Sequence, residues 1–166
     1  MKLRSGIEVY KGPQGYNPGA GYLAKVEYEN LVAGDFKTVR KEILLLQGQG
    51  DLPRGALLGR ISKVPELDQS ETRTPEETAA LTEKIGKFVL SVPNAEDGSE
   101  KPVCILSENQ STTGGDIPSV AYMTGEFLRE GIWVGSDSSN KHDLTSWDVE
   151  SALHERSIFL EKSIEP

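Results

Sequence analysis

Residues 87–127, KFVLSVPNAEDGSEKPVCILSENQSTTGGDIPSVAYMTGEF, constrain the fold of this chain more than any other part of it. Three strand-like segments alternate there with two polar turns. Phe88, Leu90 and Val92 alternate with Lys87, Val89 and Ser91, the two-residue period of a half-buried strand. A polar turn at 94–99 follows, in which Asp97-Gly98 offers the positive φ that a tight reversal needs. Val103, Cys104, Ile105 and Leu106 form an unbroken apolar run, as expected of a strand covered on both faces. A second turn over Thr112, Thr113, Gly114, Gly115 and Asp116 leads to Val120, Tyr122 and Thr124, where the alternation restarts. Nothing in this run reads as a reaction centre.

The flanking sequence extends the pattern. Tyr22, Ala24, Val26 and Tyr28 share one face of an expected strand, with Lys25, Glu27 and Glu29 on the other. After a turn at Ala33-Gly34-Asp35, Val39, Ile43 and Leu45 alternate with Arg40 and Glu42. Gln47-Gly48-Gln49-Gly50-Asp51 closes that strand, and Leu57, Leu58 and Ile61 form the next, with Gly55 and Gly59 at its ends. Residues 65–78 change character, with Glu66, Asp68, Glu71, Glu76 and Glu77 and almost no large apolar side chain. They read as an exposed excursion that ends in a helix, because Thr74, Pro75 and Glu77 make a capping box with proline at the first helical position. Leu81 and Ile85 would share a face of that helix. A second helix is expected over 145–156, capped by Thr145 with Asp148, with Trp147, Val149 and Leu153 as its apolar side and Trp147 anchoring it to the sheet. Ile158, Phe159 and Leu160 form the last strand, and 163–166 a tail. The class is β-rich α+β.

A chain of 166 residues fits one compact domain with an appended arm, here 1–21 as arm and 22–166 as body. The arm holds five glycines and two prolines without persistent periodicity, so it is expected to be mobile in the isolated protein. Ile7, Val9, Tyr10 and Tyr16 nevertheless make it adhesive, and such residues on an extended segment suit addition to another protein's sheet edge. The alternative is that the arm folds back on its own body. Residues 1–25 carry Lys2, Arg4, Lys11 and Lys25 against Glu8, a net +3, which leaves −11 on the remainder of a chain whose formal charge is −8. That overall charge argues against nucleic-acid binding, which is driven by Lys and Arg. No window approaches the ~18 apolar residues needed to span a bilayer, and no apolar segment of a secretory signal follows Lys2 and Arg4.

Chemistry has little to build on. His142 and His154 are twelve residues apart with no cysteine neighbour, a spacing that fits no metal site, and both are expected at the surface. Cys104, the single cysteine, sits between Val103 and Ile105 as a small buried hydrophobe and excludes an internal disulfide. The turn at 96–100 does not meet the calcium-loop pattern. Gly114-Gly115 lacks the Lys-Ser/Thr partner of a phosphate loop, and no G-x-S-x-G elbow occurs. No cofactor, metal or catalytic residue is expected. A small β-rich hydrolase or ligand-binding domain remains the alternative from another class.

The order and spacing of the Asp97-Gly98-Ser99 turn, the PVCIL strand, the TTGGD loop and the TGEF segment at 124–127 resemble the phage head decoration protein family. The resemblance extends weakly into 157–162 and back into 52–59, about two thirds of the chain. It implies a structural virion protein that binds the outer surface of an expanded capsid and stabilises it, as a trimer at three-fold positions. The implied partner is the major capsid protein of a phage, with no nucleic acid and no membrane. The implied location is the capsid exterior, after synthesis in the host cytoplasm. Ile7, Val9, Tyr10 and Tyr16 are the expected capsid-binding residues. Another phage structural role, in the tail or in head completion, is the nearer alternative. The arm before Tyr22 and the excursion at 65–78 depart from the lambda-like pattern.

Overall fold

The computed structural model describes residues 31–67 and 72–162. Ile7, Val9, Tyr10, Tyr16 and the strand expected at 22–29 lie outside the described residues, as does the tail. In chain order the elements are β1 (Val39–Leu45), β2 (Asp51–Leu52), β3 (Leu57–Arg60), α1 (Pro75–Thr82), β4 (Phe88–Leu90), β5 (Pro102–Leu106), β6 (Gln110–Ser111), β7 (Ile117–Leu128), α2 (Trp147–His154) and β8 (Ile158–Glu161). A 3-10 turn, Arg129–Gly131, follows β7. The fold is β-rich α+β.

Five strands close into a small barrel, in the order β1-β4-β3-β5-β7, with β7 returning to β1. β7 is long enough to serve three neighbours. Its first part runs antiparallel to β1, from Ile117 opposite Leu45 to Thr124 opposite Val39. Tyr122 and Ala121 pair with Ile105 and Leu106 of β5. Its last four residues carry β8 in parallel, Gly125 opposite Ile158 through Leu128 opposite Glu161. The thin seam is β1–β4, which is parallel and has a single register pair, Leu45 with Phe88. β2 and β6 form a separate two-stranded pair that the sequence pattern had not indicated.

Side chains alternate across each strand, so consecutive residues fill different cores. Leu58, Cys104, Leu106 and Ala121 join Ile43 and Leu45 of the barrel strands, with Leu52 of β2 and Ala56, in one cluster. Their neighbours Leu57, Ile105 and Tyr122 join Phe127, Val149, Leu153, Ile158 and Leu160 in a second cluster, which takes in α2 and β8. Both faces of β5 are therefore buried, which is why 103–106 reads as an unbroken apolar run. Each fully buried Leu or Ile contributes about 1.5–3 kcal/mol relative to exposure.

The helices obey the sequence in part. At α1 the Thr74 hydroxyl accepts from the Glu77 N–H at 3.2 Å, and Glu77 Oε2 accepts from the Thr74 N–H at 2.8 Å, the reciprocal pair expected. No residue of α1 is buried, and Ile85 lies beyond its end, exposed. At α2 the cap is Ser146 rather than Thr145. Thr145 Oγ1 donates instead to Asp143 Oδ1 at 2.7 Å, which takes its hydroxyl away from the helix. Val149 and Leu153, four apart, form the buried face. Trp147 is 76% exposed and does not anchor α2, correcting the expectation. β4 also stops short, at Leu90 rather than Val92, although the Ser91 N–H still donates to the Leu57 carbonyl at 2.9 Å.

Candidate functional site

The loops at one side of α2 are built with one local device used three times. Asp97 Oδ1 accepts from the N–H and hydroxyl of Ser99 at 3.0 and 2.6 Å. Asp137 does the same with Ser139 at 2.9 and 2.7 Å, and Asp143 with Thr145 at 2.9 and 2.7 Å. Such Asx turns replace regular backbone pairing where the chain reverses. The hydroxyl bonds from Ser139 and Thr145 hold Asp137 and Asp143 below the ordinary carboxylate range. Gly98 has φ +93°, and any side chain there would strike Ser62. Gly59 leaves no room for a side chain either, because the Ser99 backbone lies directly against it.

A buried tie holds these loops to the barrel. Ser91 is fully buried, and its hydroxyl donates to the Ser99 carbonyl at 2.8 Å. With that proton committed, Ser91 Oγ accepts from His142 Nε2 at 2.9 Å. His142 is 8% exposed, which corrects the expectation of a surface position. Burial pushes its pKa down, and a hydrogen bond with the Glu100 backbone opposes that shift. The pair joins a serine and a histidine, yet it reads as a structural tie: the serine is sealed from solvent and its proton points at a carbonyl. His154 is exposed, its ring 5.2 Å from that of Phe159.

The TTGGD loop is tied in the same fashion to the turn after β1. Thr112 is fully buried, its hydroxyl accepting from the Gln49 N–H at 2.9 Å and donating to the Gly50 carbonyl at 3.0 Å. Asp116 accepts from the Gln47 N–H at 2.8 Å and pairs with Lys87 at 2.7 Å. The Lys87 hydrogen bond, then the Gln47 one, holds the Asp116 carboxyl below its usual value.

Beside this framework lies an open groove of about 500 Å³, bordered by Pro93, Pro102, Trp147 and Val149 and rimmed by Glu100 and Asp148. Trp147 is the largest exposed apolar side chain among the described residues. The lining mixes these apolar side chains with Lys101, Asp143, Ser146 and Glu155, and an indole left in water at such an edge is the kind of residue that protein contacts favour. The sequence hinted at it only through the first-turn position of Trp147, next to Asp148. Cys104 is fully buried, and burial pushes its thiol up to about 12 against a smaller opposing effect of Arg156. Among the described residues no group of three or more His, Cys, Asp or Glu side chains could hold a metal ion. No described helix is long and apolar enough to cross a membrane.

The geometry is that of a small barrel with tied loops and one indole largely in solvent. The family model of the bacteriophage lambda head decoration protein D matches residues 24–150. That is well over half of the chain, and the protein belongs to this phage head decoration family. It is thus a structural, capsid-associated virion protein of a class that is non-enzymatic in general. No curated protein matches the sequence.

Proposed function

We propose that the protein binds the outer surface of an expanded phage capsid and stabilises it against internal pressure, as a trimer at local three-fold positions. The observation that carries this reading is the family match over 24–150, which takes in all five barrel strands, the tied loops and the start of α2. The arm before that match is the proposed attachment element. Ile7, Val9, Tyr10 and Tyr16 would add to an exposed sheet edge of the major capsid protein. Ordering such an arm on docking costs conformational entropy, which its contact area must offset. Both cores are drawn from residues of one chain, and shell contacts would add to its stability by mass action. Electron microscopy of the protein mixed with expanded, undecorated capsids tests the reading. Density over the outer three-fold positions is the expected result, and bare capsids at saturating protein would end it.

A further inference from the structure

Opposite charges are gathered on two separate parts of this molecule. A cleft of about 500 Å³ is lined by Lys41, Arg60, Lys101 and Arg156 against one carboxylate, Glu42, over a floor that includes Phe88 and Met123. All four cations are exposed. The ion pairs among the described residues, Lys87–Asp116 and Arg129–Glu150, use none of them. Four cations with one carboxylate stand out on a chain whose formal charge is −8.

The second part is the helical excursion between β3 and β4. It leaves and re-enters at the cleft's own rim, where the Gly86 N–H donates to the Ile61 carbonyl at 2.8 Å and the Ile61 N–H to the Lys87 carbonyl at 3.0 Å. Beyond that neck it stands apart. None of α1 is buried, and among the described residues nothing between 63 and 85 lines the cleft. Its sequence carries six carboxylates, Glu66, Asp68, Glu71, Glu76, Glu77 and Glu83, against Lys63, Arg73 and Lys84, and Leu67 and Ile85 are exposed at 40% and 41%. The excursion therefore has what the cleft lacks: carboxylates for the rim and aliphatic side chains for the floor.

We propose that the α1 excursion of one copy docks in the cationic cleft of a neighbouring copy. This rests on the reading that several copies sit together on the capsid. The contact is head-to-tail, with two different surfaces meeting, and such contacts close into a ring when the rotation between copies permits. Three copies around a three-fold axis would each give one excursion and receive one. Complementary charge also sets the register between copies whose net charges repel.

Zero-length carbodiimide coupling on decorated capsids tests the contact, with a mixture of isotopically light and heavy protein. Cross-linked peptides joining Glu76 or Glu83 to Lys41 or Lys101 should include pairs of one light and one heavy partner. Links found only within one isotope, or none on fully occupied capsids, overturn the contact and leave the decoration reading standing. Failure of the wild-type protein to occupy capsids would instead remove that reading itself. Charge reversal supplies the second arm. Glu76→Lys with Glu83→Lys, or Lys101→Glu with Arg156→Glu, should each raise the half-saturating concentration about tenfold. All four changes in one chain should restore it to within about threefold of wild type. Reversals without effect on binding, or a combined variant no better than its parents, would refute the proposal.

Discussion

Gln49 Oε1 accepts the backbone N–H of Leu90 at 2.7 Å across a separation of 41 residues. The amide nitrogen of the same side chain donates to the carbonyls of Leu46 at 2.7 Å and Phe88 at 3.3 Å. Gln49 thus fills the place of ladder bonds where β1 and β4 share one register pair. Replacing it with Ala takes this partner from the half-buried Leu90 N–H of β4, while the Phe88 carbonyl keeps the Leu46 N–H at 3.0 Å. The expected loss is about 1–3 kcal/mol in a denaturant titration. A loss under ~0.5 kcal/mol would mean that water closes the seam equally well.

How much of this was legible in the sequence depends on how far each signal travels along the chain. The apolar run at 103–106 and the capping box at Thr74 and Glu77 are local and could be read directly. Trp147 was misassigned because at ~100° per residue it lies ~200° round the helix from Val149. Val149 and Leu153, four apart, share the buried face, and Trp147 falls on the other side. Gln49, Ser91 and His142 act through partners some 40 to 50 residues away, which no periodicity encodes. The cations of the cleft come from β1, β3, the loop before β5 and the turn after α2, so the sequence shows them only as scattered charges.

His142 should make stability fall in mild acid. Burial holds its pKa below the ordinary value, so the folded protein resists protonation more than the unfolded chain does. The contribution is full above the unfolded pKa, ~6.5, and is lost as pH falls through the lower folded value. The melting temperature should therefore decline between about pH 7 and pH 5. His142→Gln, which keeps a donor for Ser91, should flatten that decline. Glu77, Asp116, Asp137 and Asp143 are also held low, so their loss belongs to stronger acid. An identical slope in the variant would assign the decline to other groups.

Cys104 should resist thiol reagents in the native state. It is fully buried and its pKa is pushed up to about 12, so almost no thiolate exists at neutral pH. Labelling should be slow without denaturant and rapid with it. Fast native labelling would show that the barrel opens readily.

Trp147→Ala should cost little stability, under about 0.5 kcal/mol, because the ring is largely in solvent. If the groove beside it meets a partner, the same change should weaken capsid binding by tenfold or more, as loss of an aromatic anchor does. Unchanged binding would leave the indole without a role in attachment.

Deleting residues 1–20 should abolish or greatly weaken capsid binding and leave the body folded. The motives are the net positive charge of the arm, its adhesive Ile7, Val9, Tyr10 and Tyr16, and its glycine and proline content. Twenty extended residues reach up to about 70 Å, enough to cross onto a neighbouring capsid subunit. Strand addition would survive moderate salt, because backbone hydrogen bonds and apolar contacts are little screened, whereas attachment by charge alone would fall steeply. The comparison is a capsid pull-down of full-length against truncated protein over a salt series, with circular dichroism to verify that the truncated body is folded. Equal occupancy of the two would move the attachment surface onto the body, where Trp147 and its groove become the next residues to test.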